Sequence, residues 1–119
     1  MLSIETCLRF AVALALAAAA LASAEDPRIE AGRALAHDFS KGNCLACHLA
    51  PADAKAVTKA NIAPPLSMIR ERFPEREALR AQIWDPTRRN PDTVMPPFGK
   101  HRILTDQEIE LVIDYLYTL

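Results

Sequence analysis

The most regular hydrophobic pattern lies near the end of the chain. Ile109, Val112, Ile113 and Leu116 recur at three- and four-residue steps, with Tyr115 beside them. That spacing gathers them on one face of a helix. The "TDQE" just before the stripe is a capping-box sequence, with Thr105 as the cap and Glu108 at the third position, so the helix is expected to start there. A weaker stripe of Ile29, Leu35 and Phe39, with small Gly32 and Ala36, predicts a helix from about Arg28 to Phe39. Gly42-Asn43 breaks it. Gly32 inside that helix costs roughly 1 kcal/mol relative to alanine, which points to close contact with another helix. Further on, Ser67 is a candidate cap for a short helix through Phe73. Pro74 suits the start of another helix running to Trp84, with Leu79, Ile83 and Trp84 inward.

Two stretches carry no period. "PADAKAVTKANIAPP" has three prolines and few large apolar residues, and reads as loop. "DPTRRNPDTVMPPFGKHRIL" has four prolines and one glycine, which preclude a long regular helix. A loop of that length in a small domain is usually functional or held by something bound. No strand pattern longer than a few residues is present, so the expected fold is all-α with long loops.

The first two dozen residues follow different rules. After Arg9, an alanine-rich apolar run from Phe10 ends in Ala22-Ser23-Ala24. This is an h-region with an A-x-A-like cleavage site, so residues 1–24 are expected to be a secretory signal and Glu25 the first mature residue. A membrane anchor is the other reading, but the run is short for a span. Glu5 and the single early arginine make an imperfect n-region. The expected product is periplasmic, a single domain over residues 25–119 of mixed charge and net charge near zero. It has no basic stripe for nucleic acid. A domain this small builds a sufficient core from side chains alone only with difficulty.

Cysteine placement narrows the chemistry. Of three cysteines, Cys7 falls in the signal, leaving Cys44 and Cys47 in "GNCLACHLA". With no second pair and no following H-x₃₋₅-H, a structural zinc site lacks ligands. A redox dithiol calls for a strand–turn–helix context, and nothing around Cys44 reads as a strand. C-x-x-C-H reads as a c-type haem attachment site, with thioethers from Cys44 and Cys47 and His48 under the iron. Met68, Met95, His37 and His101 are the candidates for the second axial position. Met95 is favoured because Pro96 and Pro97 restrict its backbone. Met68 fits an amphipathic helix as core packing, and surface histidines are the ordinary default. An open iron is the remaining alternative. A proline-locked carbonyl in "NIAPPL", that of Pro64, is the candidate acceptor for the other ring nitrogen of His48.

These residues resemble the class I cytochrome c pattern. Gly32, Cys44-Cys47-His48, Pro64-Pro65-Leu66, Met95-Pro96 and Tyr115 occur in its order. The resemblance implies one covalent haem c, His48 and Met95 as iron ligands, and first and last helices that cross with the glycine under the aromatic. Ala60 and Ala63 stand where the family often has glycine. Within that class, "GNCLACH", "NIAPPL" and "MPPFGKHRILTDQEIELVIDYLYTL" are similar to the SoxX family, small haem subunits of sulfur-oxidising SoxAX cytochromes. That resemblance implies a SoxA-like partner, a SoxYZ carrier whose cysteine is joined to thiosulfate, and a downstream cytochrome as electron acceptor. No remaining thiol is available for the sulfur chemistry, so the chain is expected to transfer electrons and not to catalyse alone. The competing expectations are a free-standing electron carrier of another respiratory pathway, and a sensor or peroxidase with an open iron.

Overall fold

The computed structural model describes residues 25–119. The expected signal over residues 1–24, with Cys7, lies outside the described residues. Four α-helices form the frame: α1 (Pro27–His37), α2 (Ile69–Arg72), α3 (Arg76–Trp84) and α4 (Asp106–Leu116). Short 3₁₀ turns occupy Cys44–Ala46 and Pro86–Arg88. The described residues contain no strand, and the all-α expectation holds.

Helix α4 starts as the sequence predicts. The Thr105 hydroxyl accepts from Glu108 N at 3.2 Å, and the Glu108 carboxylate accepts from Thr105 N at 2.8 Å. Ile109, Val112, Ile113, Tyr115 and Leu116 are all buried. Helix α1 is capped by Asp26, which accepts from Arg28 N at 2.8 Å, and has Pro27 in its first turn. It stops at His37, two residues short of the expected end. Asp38 takes an extended conformation, and its side chain accepts from both the backbone and hydroxyl of Ser40. That local turn competes with the helix, and it leaves Phe39 90% exposed.

The two middle helices depart further. Ser67 does not cap α2. Met68 holds that place with a left-handed φ of 50°, and the helix begins after it. Met68 is therefore 64% exposed and does not pack in the core as its spacing suggested. Helix α3 begins at Arg76, because Glu75 is extended, so Pro74 precedes the helix and does not open it. Leu79 and Ile83 point inward as expected, and Trp84 is half-buried.

The frame is fixed where α1 crosses α4. A Cβ on Gly32 would lie 2.0 Å from the Leu111 carbonyl oxygen and 3.0 Å from the Tyr115 Cβ. Only hydrogen fits there, so the glycine allows backbone-to-backbone contact and Tyr115 is completely buried beside it. Helix α3 packs on α4 as well. Arg76 binds Glu110 at 2.7 Å and Asp114 at 2.9 Å, and Arg80 binds Asp106 at 2.6 Å. The chain end closes onto α2 through Ile69 N and the Leu119 carbonyl, 3.2 Å apart.

A buried polar cluster locks the first long loop onto this crossing. The Asp53 carboxylate accepts from the Tyr115 hydroxyl at 2.7 Å and the Arg33 Nε at 3.2 Å, and it lies 3.2 Å from His37 Nε2. Arg33 also binds Glu25 and Glu30. Burial alone would raise the Asp53 pKa. The Tyr115 hydroxyl, the Lys55 N–H, Arg33 and His37 outweigh it, and they hold the carboxyl below the usual range.

Two outcomes follow. Gly32→Ala gains about 1 kcal/mol of helix propensity but forces α1 off α4, an overpacking cost of about 3 kcal/mol. Denaturant unfolding of the holoprotein is expected to show a net loss. Asp53→Ala is expected to cost about 3 kcal/mol at neutral pH, the low end for a broken buried pair, because Arg33 keeps its two glutamates. Since the folded pKa of Asp53 is depressed, its stabilisation is present above the unfolded value and lost as pH falls through the folded one. The gap between wild type and variant should therefore close below about pH 4.

Candidate haem-binding site

The C-x-x-C-H motif folds on itself. Asn43 adopts a left-handed conformation with φ 47°, which turns the chain into the 3₁₀ segment. Cys47 N and His48 N then both donate to the Cys44 carbonyl, at 3.1 and 2.9 Å. This tight turn brings both thiols and the imidazole together on one short segment. Neither thiol is paired in a disulfide. Burial pushes the Cys44 thiol up to about 11. A redox dithiol is favoured by a stabilised thiolate, and the Cys44 environment works against one.

The next loop is stitched to the motif. Ala63 N donates to the Cys47 carbonyl at 3.0 Å, and Leu66 N to the Leu49 carbonyl at 2.7 Å. The Thr58 hydroxyl donates to the Leu45 carbonyl at 2.7 Å. Together they set the Pro64 carbonyl 2.6 Å from His48 Nδ1. Neither Ala60 nor Ala63 has a positive φ, so this path does not need the glycines found elsewhere at those positions. With Nδ1 donating to a carbonyl, the lone pair of the ring resides on Nε2, the tautomer that serves as a metal ligand.

Met95 comes from the other long loop and meets α3. Its Sδ lies 3.7 Å from the Gln82 amide nitrogen, and its backbone N–H donates to the Thr93 hydroxyl at 3.1 Å. The loop is pinned to the end of α3 just beyond it. Phe98 N donates to the Ile83 carbonyl, and Gly99 N and Lys100 N both donate to the Trp84 carbonyl. Gly99 sits where a Cβ would be 1.9 Å from the Trp84 ring. The other candidate ligands are placed differently. His37 is engaged by Asp53, His101 is exposed, and Met68 is exposed in its left-handed turn.

Gln82, Thr93 and Asp53 escaped sequence reasoning. Gln82 had a faint signal, being polar next to inward-facing Ile83. Thr93 had another, two residues before the methionine in the spacing of a hydroxyl turn.

The residues fit a covalently held porphyrin. Two thiols and one imidazole with a fixed tautomer share a turn. Ile62 and Val94, in the loops beside Pro64 and Met95, expose 66% and 79% of their surface as apolar area. Among the described residues no group of three or more His, Cys, Asp or Glu stands together to hold a bare metal ion.

A sequence profile of the cytochrome c family matches residues 29–119. The chain belongs to the cytochrome c family, and with that membership comes haem c as its cofactor. It is also similar to the crystal structure of SoxXA from P. pantotrophus, at 28% identity and a TM-score of 0.67, over 75% of this chain and 79% of that one. It is thus a SoxX-like cytochrome with the class I fold. An uncharacterized lipoprotein of Aquifex aeolicus (strain VF5) is 32% identical over 77 residues. That match covers 65% of this chain and 36% of the lipoprotein.

Proposed function

We propose that the chain is the monohaem, electron-accepting subunit of a SoxAX-type thiosulfate-oxidising complex. The observation that carries the site reading is the 2.6 Å contact between His48 Nδ1 and the Pro64 carbonyl, directly after two thiols in a haem-attachment motif. The likeness to SoxXA supports the assignment to that complex.

In this reading Cys44 and Cys47 carry one haem c through thioethers. His48 Nε2 and the Met95 sulfur would be the residues' donors to its iron. Haem c, when bound, supplies reversible one-electron iron chemistry, and histidine–methionine ligation raises its potential relative to a bis-histidine site. Pro64 holds the His48 ring in orientation and keeps electron density on Nε2. Pro96 and Pro97 hold the Met95 backbone at low entropy cost. Were Cys44 and Cys47 taken up by haem, neither would be free as a nucleophile for sulfur chemistry. Catalysis therefore belongs to the assembly. A SoxA-like subunit joins thiosulfate to a cysteine of a SoxYZ carrier, and this chain takes the electrons released and passes them to a downstream cytochrome. Haem c attachment, the lipoprotein relative and the A-x-A-like site support a periplasmic location for the working protein. No helix among the described residues is long and apolar enough to cross a membrane.

Spectroscopy separates the two methionines. Met95→Ala should lose the far-red sulfur-to-iron charge-transfer absorption of the oxidised protein and lower the midpoint potential. Met68→Leu should leave both unchanged, and loss of the band in that variant would reassign the ligand.

Function is tested by turnover of thiosulfate with the carrier protein and an electron acceptor. This chain alone should be inactive, and mixing it with a SoxA-like dihaem partner should give a complex and raise the rate at least tenfold. Failure to form that complex would leave a free-standing electron carrier as the better reading.

A further inference from the structure

The buried polar cluster beside the attachment turn holds a titratable group that the site reading leaves unused. His37 is the last residue of α1, where a helix end favours positive charge. Its Nε2 lies 3.2 Å from the Asp53 carboxylate and 3.5 Å from the Tyr115 hydroxyl. Its ring meets the Tyr115 ring edge-on, with centroids 6.0 Å apart. The His37 side chain keeps 24% of its surface exposed, whereas Asp53 keeps 3%. The imidazole can therefore exchange protons with solvent from beside a buried carboxylate.

Charge around it is uneven. Glu25, Glu30 and Asp53 bring three carboxylates, and Arg33 and Lys55 are the two fixed cations paired with them. Tyr115 is held neutral, because burial first, and then the Asp53 carboxylate, raise its pKa. Asp38, next in the chain, is turned to Ser40 instead. The cluster is one positive charge short, and a proton on His37 supplies it.

The cluster also brackets the C-x-x-C-H turn. On one side, Gly42 N donates to the Leu35 carbonyl at 3.1 Å and Asn43 N to the Asp38 carbonyl at 3.0 Å, which ties the end of α1 to the start of the motif. On the other, Asp53 N donates to the carbonyl of Ala50, two residues past His48, at 3.1 Å. The Cys44 sulfur is near enough to add to the rise in the Tyr115 pKa. A charge that changes at His37 is therefore felt at the attachment turn, and partial burial strengthens that interaction over its value in water.

We propose that His37 is a redox-linked proton site, which takes up a proton when a one-electron centre on the C-x-x-C-H turn is reduced and releases it on oxidation. The inference rests on the haem reading above. The electron arrives from one redox protein and leaves to another. The proton comes from solvent and forms an N–H bond on the imidazole, beside Asp53. Protonated His37 opposes the more positive oxidised centre, so the midpoint potential falls as pH rises and the proton is lost. Histidine is the side chain whose charge ordinarily changes between pH 5 and 8, which sets the range of the test.

The test is the midpoint potential of purified holoprotein from pH 5 to 8, together with a nuclear magnetic resonance titration of the His37 ring in both oxidation states. His37→Gln keeps a polar side chain beside Asp53 but cannot titrate. It should lose the fall in potential that the wild type shows. His101→Gln, at the exposed histidine outside the cluster, should keep it. By reciprocity the wild-type His37 ring should bind its proton about fivefold more tightly in the reduced protein, the low end for coupled sites. That measurement needs no variant, so it decides the matter even if His37→Gln does not fold. An identical titration in the two oxidation states overturns the inference. So does a His37→Gln holoprotein whose potential keeps the wild-type pH dependence. Haem that acid–acetone extracts from the wild type would instead sink the attachment reading itself.

Discussion

The approach of α1 to α4 at Gly32 is the constraint on which the other parts rest. A missing Cβ lets the α1 backbone meet the Leu111 carbonyl, and that contact buries Tyr115 completely. Tyr115 then presents its hydroxyl to Asp53, which belongs to the loop following the C-x-x-C-H turn. Asp53 recruits Arg33 and His37 from α1. The helix crossing is thus extended by a polar cluster into the loop that carries the site. A buried carboxylate and guanidinium are costly unless fully partnered. Here every buried side-chain nitrogen and oxygen among the described residues has a partner, so the cluster fixes one loop path at tolerable cost.

What could be read from the sequence depended on how local each feature's cause is. Helix α4 was legible because its cap and its stripe lie within twelve consecutive residues and agree with each other. The close approach at Gly32 was legible because a glycine inside a helix needs a reason. The turn of Cys44, Cys47 and His48 is contiguous, so the motif announced its own geometry. The Pro64 contact was legible because a proline-bounded carbonyl sits a short loop away. The misses have causes at a distance or in one dihedral angle. Asp53 lies in an aperiodic loop, and its partners are 16, 20 and 62 residues away along the chain. The left-handed turn at Met68 removes the residue from a stripe that its spacing fits. Asp38 ends α1 with a side-chain turn that a hydrophobic count does not see, which leaves Phe39 outside the helix.

The electrostatics of the chain divide along the same line. Most arginines on the frame are spent on carboxylates of α1 and α4, holding helices together from the outside. Exposed pairs of this kind contribute little individually. Their collective effect is to neutralise the frame, while Arg70, Arg72, Arg88, Arg89 and Arg102 pair with no carboxylate among the described residues.

The loop that holds Met95 shows how a residue on irregular backbone can be held in place. Proline supplies part of the rigidity by restricting φ on one side of the methionine. The remainder comes from α3, whose last carbonyls receive Phe98, Gly99 and Lys100 N–H groups, with Trp84 packed over Gly99. Lys100 binds the Asp85 carboxylate at 3.0 Å and closes the same junction. The position of Met95 is therefore inherited from a helix end and does not depend on the loop's own stability. His48 has an equivalent arrangement through the stitched Pro64 loop. If His48 and Met95 ligate a one-electron centre as proposed, both need to be held before and after the transfer. Preorganised supports on each side meet that requirement, and in this chain both are backbone hydrogen bonds anchored to the frame that Gly32 allows.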